Sequence, residues 1–202
     1  MDFWVLEERD RFMREGEFAC HYEIEEPLVV KASTKTCPSC GAVLEPGVWR
    51  PPHKIRTKSN CCGDLIQGAA FELIVSDAFR NGFEKAKLTG LTFSDPIQIL
   101  PPRDVVYFAA RPAVLVMRAQ EDASEIVWRK PPVCEVCRLG VRKSTKRVIL
   151  CEGEWSGDSI FVASGLYGVK LVSEEFVQMI HRYDLKNVAT VRAEDYSEEI
   201  GV

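Results

Sequence analysis

Two Cys-x-x-Cys pairs, one early and one late in the chain, constrain the fold more than any other feature. The first pair is Cys37 and Cys40, and the second is Cys134 and Cys137. Within each pair the spacing lets a tight turn aim two thiolates at one point, and two such turns supply the four sulfur ligands of a tetrahedral zinc site. The sequence therefore predicts a structural Zn²⁺ ion bound by these four cysteines.

Other interpretations of the cysteines stay open at this point. A single Cys-x-x-Cys pair could be a redox pair, but the glycine and prolines between residues 41 and 52 do not allow the long helix that such a pair requires. Cys61 and Cys62 could complete a local site with the first pair, although adjacent side chains on an extended chain diverge. The same divergence disfavours Cys20 and His21 as a pair of ligands.

The composition is typical of a globular cytoplasmic protein. Of the 202 residues, 46% are hydrophobic and 28% are charged, which is enough for one core or two small coupled cores. The first residues are acidic, and no apolar run approaches about 18 residues, so we expect neither a signal peptide nor a membrane span. In the cytoplasm, eight cysteines indicate metal ligands and buried thiols such as Cys151, rather than disulfides.

The two halves of the chain repeat a series of features at one constant offset of 97 residues. Each half has a Cys-x-x-Cys pair, an apolar strand, a serine that can cap a helix, a helix with one apolar face, and a residue suited to a left-handed conformation. In the first half these are the strand at 71–75, Ser76, the helix face of Phe79, Phe83 and Ala86, and Gly90; in the second they are the strand at 169–172, Ser173, the face of Phe176, Ile180 and Tyr183, and Asn187. The pattern predicts an α+β fold with a duplicated knuckle–strand–helix–strand unit around an antiparallel sheet. Generic helix capping in two unrelated units is the alternative, but it leaves the offset of the cysteines unexplained.

The remaining apolar runs predict further strands. Those at 97–100, 105–108, 114–117 and 126–128 are separated by proline and acidic breaks, which is typical of an antiparallel meander. Later strands are expected at 147–151, 160–163 and 188–191, before a polar, acidic tail. We divide the chain into an N-terminal segment (1–35), a first half (36–129) and a second half (130–202). A shared metal ion would couple the halves into one structural domain.

Several motifs together resemble the bacterial double-CxxCG motif family. They are Cys37-Pro38-Ser39-Cys40-Gly41, Cys134-Glu135-Val136-Cys137, the segment from Leu73 to Phe79, Leu88-Thr89-Gly90-Leu91, Trp155-Ser156-Gly157-Asp158, and the segment from Leu171 to Phe176. The resemblance covers residues 36 to 196. The second motif departs from the pattern because Arg138 replaces the glycine, which questions the tightness of that turn rather than the ligands. Some members of the family are similar to immunity proteins encoded beside secreted or contact-delivered toxins, so the resemblance implies a protein partner, the cognate toxin.

Two further functional classes are alternatives to an immunity-type binding protein. A zinc-ribbon nucleic-acid or transcription-associated module is suggested by a basic cluster, which a solvated loop explains equally well; its members are Arg138, Arg142, Lys143, Lys146 and Arg147. The net charge of −4 makes nucleic acid an unfavourable partner. We do not expect an enzyme, since four thiolates leave no open position on zinc and His21, His53 and His181 are scattered along the chain. The oligomeric state is open.

Overall fold

The computed structural model describes residues 2–7, 22–24, 29–30, 35–44, 48–49, 53–57, 63–67, 72–151, 153 and 155–200. The strands of these ranges are β1 (Trp4–Glu7), β2 (Tyr22–Ile24), β3 (Val29–Val30), β4 (Val48–Trp49), β5 (Lys54–Thr57), β6 (Leu65–Gln67), β7 (Leu73–Ser76), β8 (Leu91–Leu100), β9 (Tyr107–Arg118), β10 (Val127–Lys130), β11 (Val141–Thr145), β12 (Ile160–Ser164), β13 (Leu171–Val172), β14 (Ala189–Arg192) and β15 (Glu198–Glu199). The helices are α1 (Asp77–Lys85), α2 (Glu174–Arg182) and a short 3₁₀ helix at Ala193–Asp195. The helical segments of these ranges are all too short or too polar to cross a membrane.

One large sheet carries most of the strands. Its order is β14-β1-β13-β12-β9-β8-β5-β2, and β7 also pairs with β9 and carries β6 on its other side. Most neighbours are antiparallel, but β12 runs parallel to β9 and β5 runs parallel to β8. The fold is therefore α+β, as predicted, with a mixed sheet in place of the expected antiparallel one. Two smaller sheets have the orders β10-β11-β15 and β3-β4.

Both helices begin where the sequence predicts. The hydroxyl oxygen of Ser76 accepts a hydrogen bond from the amide of Phe79 at 3.1 Å and so caps α1. Ser173 occupies the equivalent position before α2, but its side chain makes no capping hydrogen bond to the helix.

The helix ends differ from the prediction that Gly90 and Asn187 terminate them. The left-handed residues directly after the helices are Lys87 and Asp184, with φ of 55° and 49°. Beyond Lys87, the amide of Leu88 donates to the carbonyl of Phe83 at 3.1 Å, which is the hydrogen bond of a Schellman motif. Gly90 and Asn187 also have positive φ, but they lie in the connections that follow.

The buried apolar side chains of the described ranges form three clusters on the two faces of the sheet. The largest contains α1 and α2, with Phe79 and Phe176 in edge contact at a centroid distance of 5.8 Å. Along β7, Leu73 and Val75 belong to this cluster, whereas Ile74 belongs to another cluster with residues of β5, β6, β8 and β9. Since alternate residues of a strand point to opposite faces, this second cluster lies on the face away from the helices. A third cluster packs β1 against β12 and β13.

Four expectations about strands are corrected. The strands predicted at 105–108 and 114–117 form one strand, β9, which begins at Tyr107 and continues through Pro112. The strand predicted at 97–100 is the second part of β8, which passes a register shift at Pro96. The strand predicted at 147–151 is reduced to one bridge between Ala119 and Leu150. The basic cluster contains β11 instead of a loop, and the acidic tail contains β15, which pairs with it.

Candidate metal centre

The first Cys-x-x-Cys pair lies on a small hairpin. A bridge between Thr36 and Val43 closes it, and the amide of Cys37 donates to the carbonyl of Ala42 at 2.8 Å. At the tip, the amide of Gly41 donates back to the carbonyl of Cys37 at 2.9 Å. Gly41 has a φ of 71°, a left-handed conformation that costs glycine little. This first turn will be called knuckle 1 (residues 36–43).

The second pair lies on a turn of the same kind, knuckle 2 (residues 133–140). The amide of Arg138 donates to the carbonyl of Cys134 at 2.9 Å, and Arg138 has a positive φ of 52°. The arginine therefore keeps the turn tight, although the sequence raised doubt at this position. Its side chain holds two carboxylates, because Nε donates to Glu121 at 2.7 Å and Nη1 donates to Glu135 at 2.6 Å.

The structure brings together the four cysteines that the sequence singles out. The Sγ atoms of Cys37 and Cys134 are 3.8 Å apart, those of Cys40 and Cys137 are 3.7 Å apart, and all four lie within 4.8 Å of one another. A tetrahedral zinc ion with bonds of about 2.3 Å places its sulfur ligands about 3.8 Å apart, whereas a disulfide needs about 2.05 Å. The donor set and its spacing therefore fit a metal ion, and the four cysteines could hold one.

Backbone amides surround the sulfur atoms of the cluster. Amides of Cys137 and Val136 donate to the Cys134 sulfur and lower its thiol pKa to about 6. Burial raises the pKa of the Cys137 thiol to about 12, against a hydrogen bond from the Leu139 amide that lowers it. Amide hydrogen bonds to sulfur favour the thiolate form that coordinates metal.

The cluster is enclosed on one side and open on the other. Cys37 and Cys137 are buried, Cys134 is half-buried and Cys40 is exposed. The hydroxyl of Tyr167 donates to the carbonyl of Cys137 at 3.0 Å and fixes the buried side of knuckle 2. The arrangement leaves a route for a metal ion from the side of Cys40.

The other cysteines do not join this cluster within the described ranges. Cys151 is half-buried and lies outside the group of four. The alternative ligands Cys61 and Cys62, and the disfavoured pair Cys20 and His21, fall outside the residues that the structure describes.

Carboxylates neutralise most of the basic cluster. The pairs are Arg138 with Glu121 and Glu135, Arg142 with Glu198, and Lys146 and Arg147 with Glu125. Hydrogen bonds from Lys146 and, to a smaller extent, from Arg147 lower the pKa of Glu125 below its usual value. Arg142 is buried and ties β11 to β15 with a contact of 2.7 Å to Glu198. These residues therefore lie in local ion pairs, which is not the arrangement of a phosphate-binding face.

Comparison of the chain with models of known protein families finds no match, and comparison with curated protein sequences finds none. The resemblance to the double-CxxCG family therefore rests on the motifs themselves.

A second cluster of polar groups escaped the sequence analysis. A cleft of about 520 Å³ lies beside β8 and β9, and its lining includes Lys35, His53, Glu72 and Arg111. These residues are far apart in sequence, and the Arg-Pro dipeptide at Arg111 was interpreted as a break between strands. The available signal was the pair of opposite charges, Glu72 and Arg111, next to apolar runs that pair with each other.

Proposed function

We propose that this chain is a cytoplasmic, zinc-stabilised binding protein of the immunity type, which neutralises a cognate bacterial toxin by occluding it. The observation that carries its zinc-stabilised part is the cluster of four cysteine sulfur atoms from knuckles 97 residues apart. Four sulfur ligands fill the tetrahedral shell of zinc, so the metal would be structural and not catalytic. Closing a loop of about 100 residues contributes roughly 4–5 kcal/mol in the chain-entropy model of a cross-link.

The neutralisation of a toxin rests on the family resemblance of the motifs. The net charge of −4 is consistent with it, because an acidic protein attracts a basic partner such as a nuclease toxin. A binding protein also needs a rigid surface more than it needs a reactive group, and a metal centre between distant knuckles supplies rigidity.

We also infer that the two halves are copies of one unit. The ladder of β6 with β7 pairs Leu65 with Val75, and the ladder of β12 with β13 pairs Ile160 with Val172 in the same way. In the first half the amide of Ser76 donates to the carbonyl of Asp64 at 3.1 Å; in the second the amide of Ser173 donates to the carbonyl of Ser159 at 3.0 Å. A helix of nine residues follows each ladder, and the first and last residues of the two helices correspond across the same offset of 97 residues.

Contacts between equivalent residues support a pseudo-twofold relation between these units. Cys37 contacts Cys134, Cys40 contacts Cys137, and Phe79 contacts Phe176, each across 97 residues. Residues near a twofold axis meet their own equivalents, as in a symmetric dimer. The proposed metal would then lie on the axis, and a partner would meet two related but different surfaces.

The alternative, a zinc-ribbon nucleic-acid module, is less favoured by the geometry. Of the basic residues that suggested it, all but Lys143 form ion pairs with Glu121, Glu125, Glu135 or Glu198. Binding to nucleic acid would require breaking these pairs, at a cost that phosphate contacts would have to offset.

The test is co-expression with the product of the neighbouring gene in a bacterial host. We expect that product to arrest growth alone, and growth to resume when this chain is present. The two proteins should also elute together in size-exclusion chromatography. Cys37→Ser should lose protection together with soluble protein, whereas the matched variant Cys151→Ser should protect fully. Protection without a stable complex would contradict occlusion, and salt-dependent binding to nucleic acid alone would favour the alternative.

A further inference from the structure

The four clustered cysteines differ in their access to solvent. Cys40 is exposed, Cys134 is half-buried, and Cys37 and Cys137 are buried. Cysteines that bind a metal ion are held as thiolates, and the thiolate is the form that reacts with an oxidant when solvent can reach it. Cys40 combines the position of a ligand with exposure, so a dissolved oxidant reaches it before the other three.

The short sulfur contacts of the cluster run between the two knuckles. The Sγ atoms of Cys40 and Cys137 are 3.7 Å apart, and those of Cys37 and Cys134 are 3.8 Å apart. A disulfide requires about 2.05 Å, so either gap has to shorten before a bond can form. Each contact joins residues 97 apart in sequence. A bond at either place would therefore link the two halves of the chain.

A disulfide within one knuckle is the competing possibility. Each turn is held by a hydrogen bond around its own pair of cysteines: the amide of Gly41 donates to the carbonyl of Cys37, and the amide of Arg138 donates to the carbonyl of Cys134, both at 2.9 Å. Drawing the two sulfur atoms of one turn together would deform that turn. Two separate turns can approach each other without such a change, so the geometry favours the bond between knuckles.

We propose that Cys40 is a peroxide-reactive site, and that its oxidation joins it to Cys137 by a disulfide that replaces the metal link between the knuckles. The Cys40 thiolate attacks hydrogen peroxide: an S–O bond forms, the O–O bond breaks, and the hydroxide that leaves is protonated to water. The Cys137 thiolate then attacks the sulfur of this sulfenic acid: an S–S bond forms, the S–O bond breaks, and the second hydroxide is protonated to water. Two electrons pass from the sulfur atoms to the peroxide.

This reaction removes two of the four metal ligands. Cys37 and Cys134 remain, and because two thiolates bind zinc more weakly than four, the metal ion is released. The disulfide between Cys40 and Cys137 closes the same loop of 97 residues that the metal closes, so the halves stay linked. The inference rests on the four-cysteine site of the proposed function, and it does not depend on the neutralisation of a toxin.

The test treats the reduced, zinc-loaded full chain with stepwise additions of hydrogen peroxide. Released zinc is measured with a colorimetric chelator, and tryptic peptides are mapped by mass spectrometry without reduction. No lysine or arginine separates the two cysteines of either pair, so a bond between knuckles joins two peptides, whereas a bond within a knuckle joins none. We expect the two peptides to be joined through Cys40 and Cys137 in step with the loss of zinc, and dithiothreitol to reverse the link.

Thermal unfolding supplies a second measurement. The oxidised, zinc-free chain should melt about 10 °C above the reduced chain from which a chelator has removed zinc, because the oxidised chain keeps a link between its halves. A disulfide within a knuckle closes a loop of only about four residues and would give little of this gain.

Two variants identify the reacting thiol. Cys40→Ser removes the exposed sulfur, and we expect peroxide to consume the remaining thiols at least tenfold more slowly. The matched control is Cys151→Ser, which removes a half-buried cysteine outside the cluster and should leave the rate unchanged. If Cys40→Ser does not fold, the peptide map of the unmodified chain decides alone.

Four results would overturn the proposal: a disulfide only within a knuckle, a sulfinic acid at Cys40 without a disulfide, a Cys40 that peroxide leaves reduced, or equal rates in the two variants. Absence of zinc from the reduced chain is a different result. It would contradict the structural metal of the proposed function, whereas a bond between Cys40 and Cys137 in that same chain would still support the oxidation.

Discussion

Arg138 has the backbone conformation of Gly41, with φ angles of 52° and 71° at the same point of their two knuckles. A left-handed conformation costs a non-glycine residue about 1 kcal/mol relative to glycine. Arg138 offsets this cost because its side chain binds Glu121 and Glu135, which a glycine cannot do. The same turn is therefore reached by conformational freedom in one knuckle and by side-chain contacts in the other.

Substitutions at Arg138 should separate these two effects. Arg138→Ala loses the ion pairs and keeps the backbone cost, so we expect it to lower the free energy of unfolding by about 2 kcal/mol. Arg138→Gly loses the ion pairs but relieves the backbone, and should be more stable than Arg138→Ala by about 1 kcal/mol. Urea unfolding of both variants measures the difference. A glycine variant less stable than the alanine variant would contradict the assigned conformation.

Gly41→Ala should destabilise knuckle 1 through the backbone alone. A Cβ atom at Gly41 meets no other atom within 4 Å, so there is no steric clash to add. We expect the free energy of unfolding to fall by about 1 kcal/mol. The matched control is Gly153→Ala, where a Cβ atom is equally unobstructed and φ is not positive. Equal effects of the two substitutions would count against a conformational requirement at Gly41.

Metal content should follow the four clustered cysteines. The purified protein is expected to hold about one zinc ion per chain, and Cys134→Ser should lose most of it because three thiolates bind zinc more weakly than four. Cys151→Ser, outside the cluster, should keep it. Elemental analysis of the purified variants measures the zinc content of each. Full retention in Cys134→Ser, with loss in the Cys61→Ser, Cys62→Ser double variant, would move the site to the first half.

The contact between Phe79 and Phe176 should couple the two helices. Both side chains are fully buried, and their rings meet at 63°. A double-mutant cycle with leucine at each position should give a coupling energy of about 0.5–1.5 kcal/mol in urea unfolding. The control cycle combines Phe79→Leu with Phe161→Leu, which belongs to another cluster. Coupling as large in the control cycle would show that the effect is not specific to the helix contact.

The knuckle cysteines and the helices were predictable because their signals are local. The spacing of Cys37 and Cys40 already defines a turn, and Ser76 with an apolar period after it defines a helix start. The end of α1 was placed too late, because Gly90 is the stronger sequence signal although Lys87 takes the left-handed position. The hydrogen bond from the Leu88 amide to the Phe83 carbonyl forms with an exposed lysine at this position, and no local rule anticipates a lysine there.

The sheet was less predictable because its order depends on contacts between distant segments. The parallel pairing of Phe161 with Ala113 joins strands that no local pattern connects. The Arg111-Pro112 dipeptide was interpreted as a break between strands, but β9 continues through it from Tyr107 to Arg118. For the same reason the cleft could not be foreseen, since Lys35, Glu72 and Arg111 meet only after the strands have paired.

Asp64 should stabilise the contact between the halves. Its carboxylate accepts a hydrogen bond from the hydroxyl of Ser76 at 2.5 Å and another from the amide of Lys186 at 2.6 Å. Asp64→Ala leaves the buried Ser76 hydroxyl with one contact fewer, so we expect a loss of about 2 kcal/mol in the free energy of unfolding. Asp122→Ala, at an exposed turn, should change stability by less than about 0.5 kcal/mol. Similar losses in both variants would contradict a specific role for Asp64.

The exposed residues of the two helices provide the last test of occlusion. Glu84 of α1, His181 of α2 and Asp184 are exposed, and a large binding surface does not depend on any one polar group. Asp184 has a positive φ, so asparagine is a better probe there than alanine, which would also strain the backbone. We expect Glu84→Gln, His181→Ala and Asp184→Asn to fold normally and to weaken protection in the co-expression assay only in part. Survival is scored against the level of soluble protein. Complete loss of protection in His181→Ala, with normal folding and undiminished binding of the toxin, would instead indicate a catalytic residue. A variant that still folds and binds the toxin but no longer protects has lost a chemical step and not a contact.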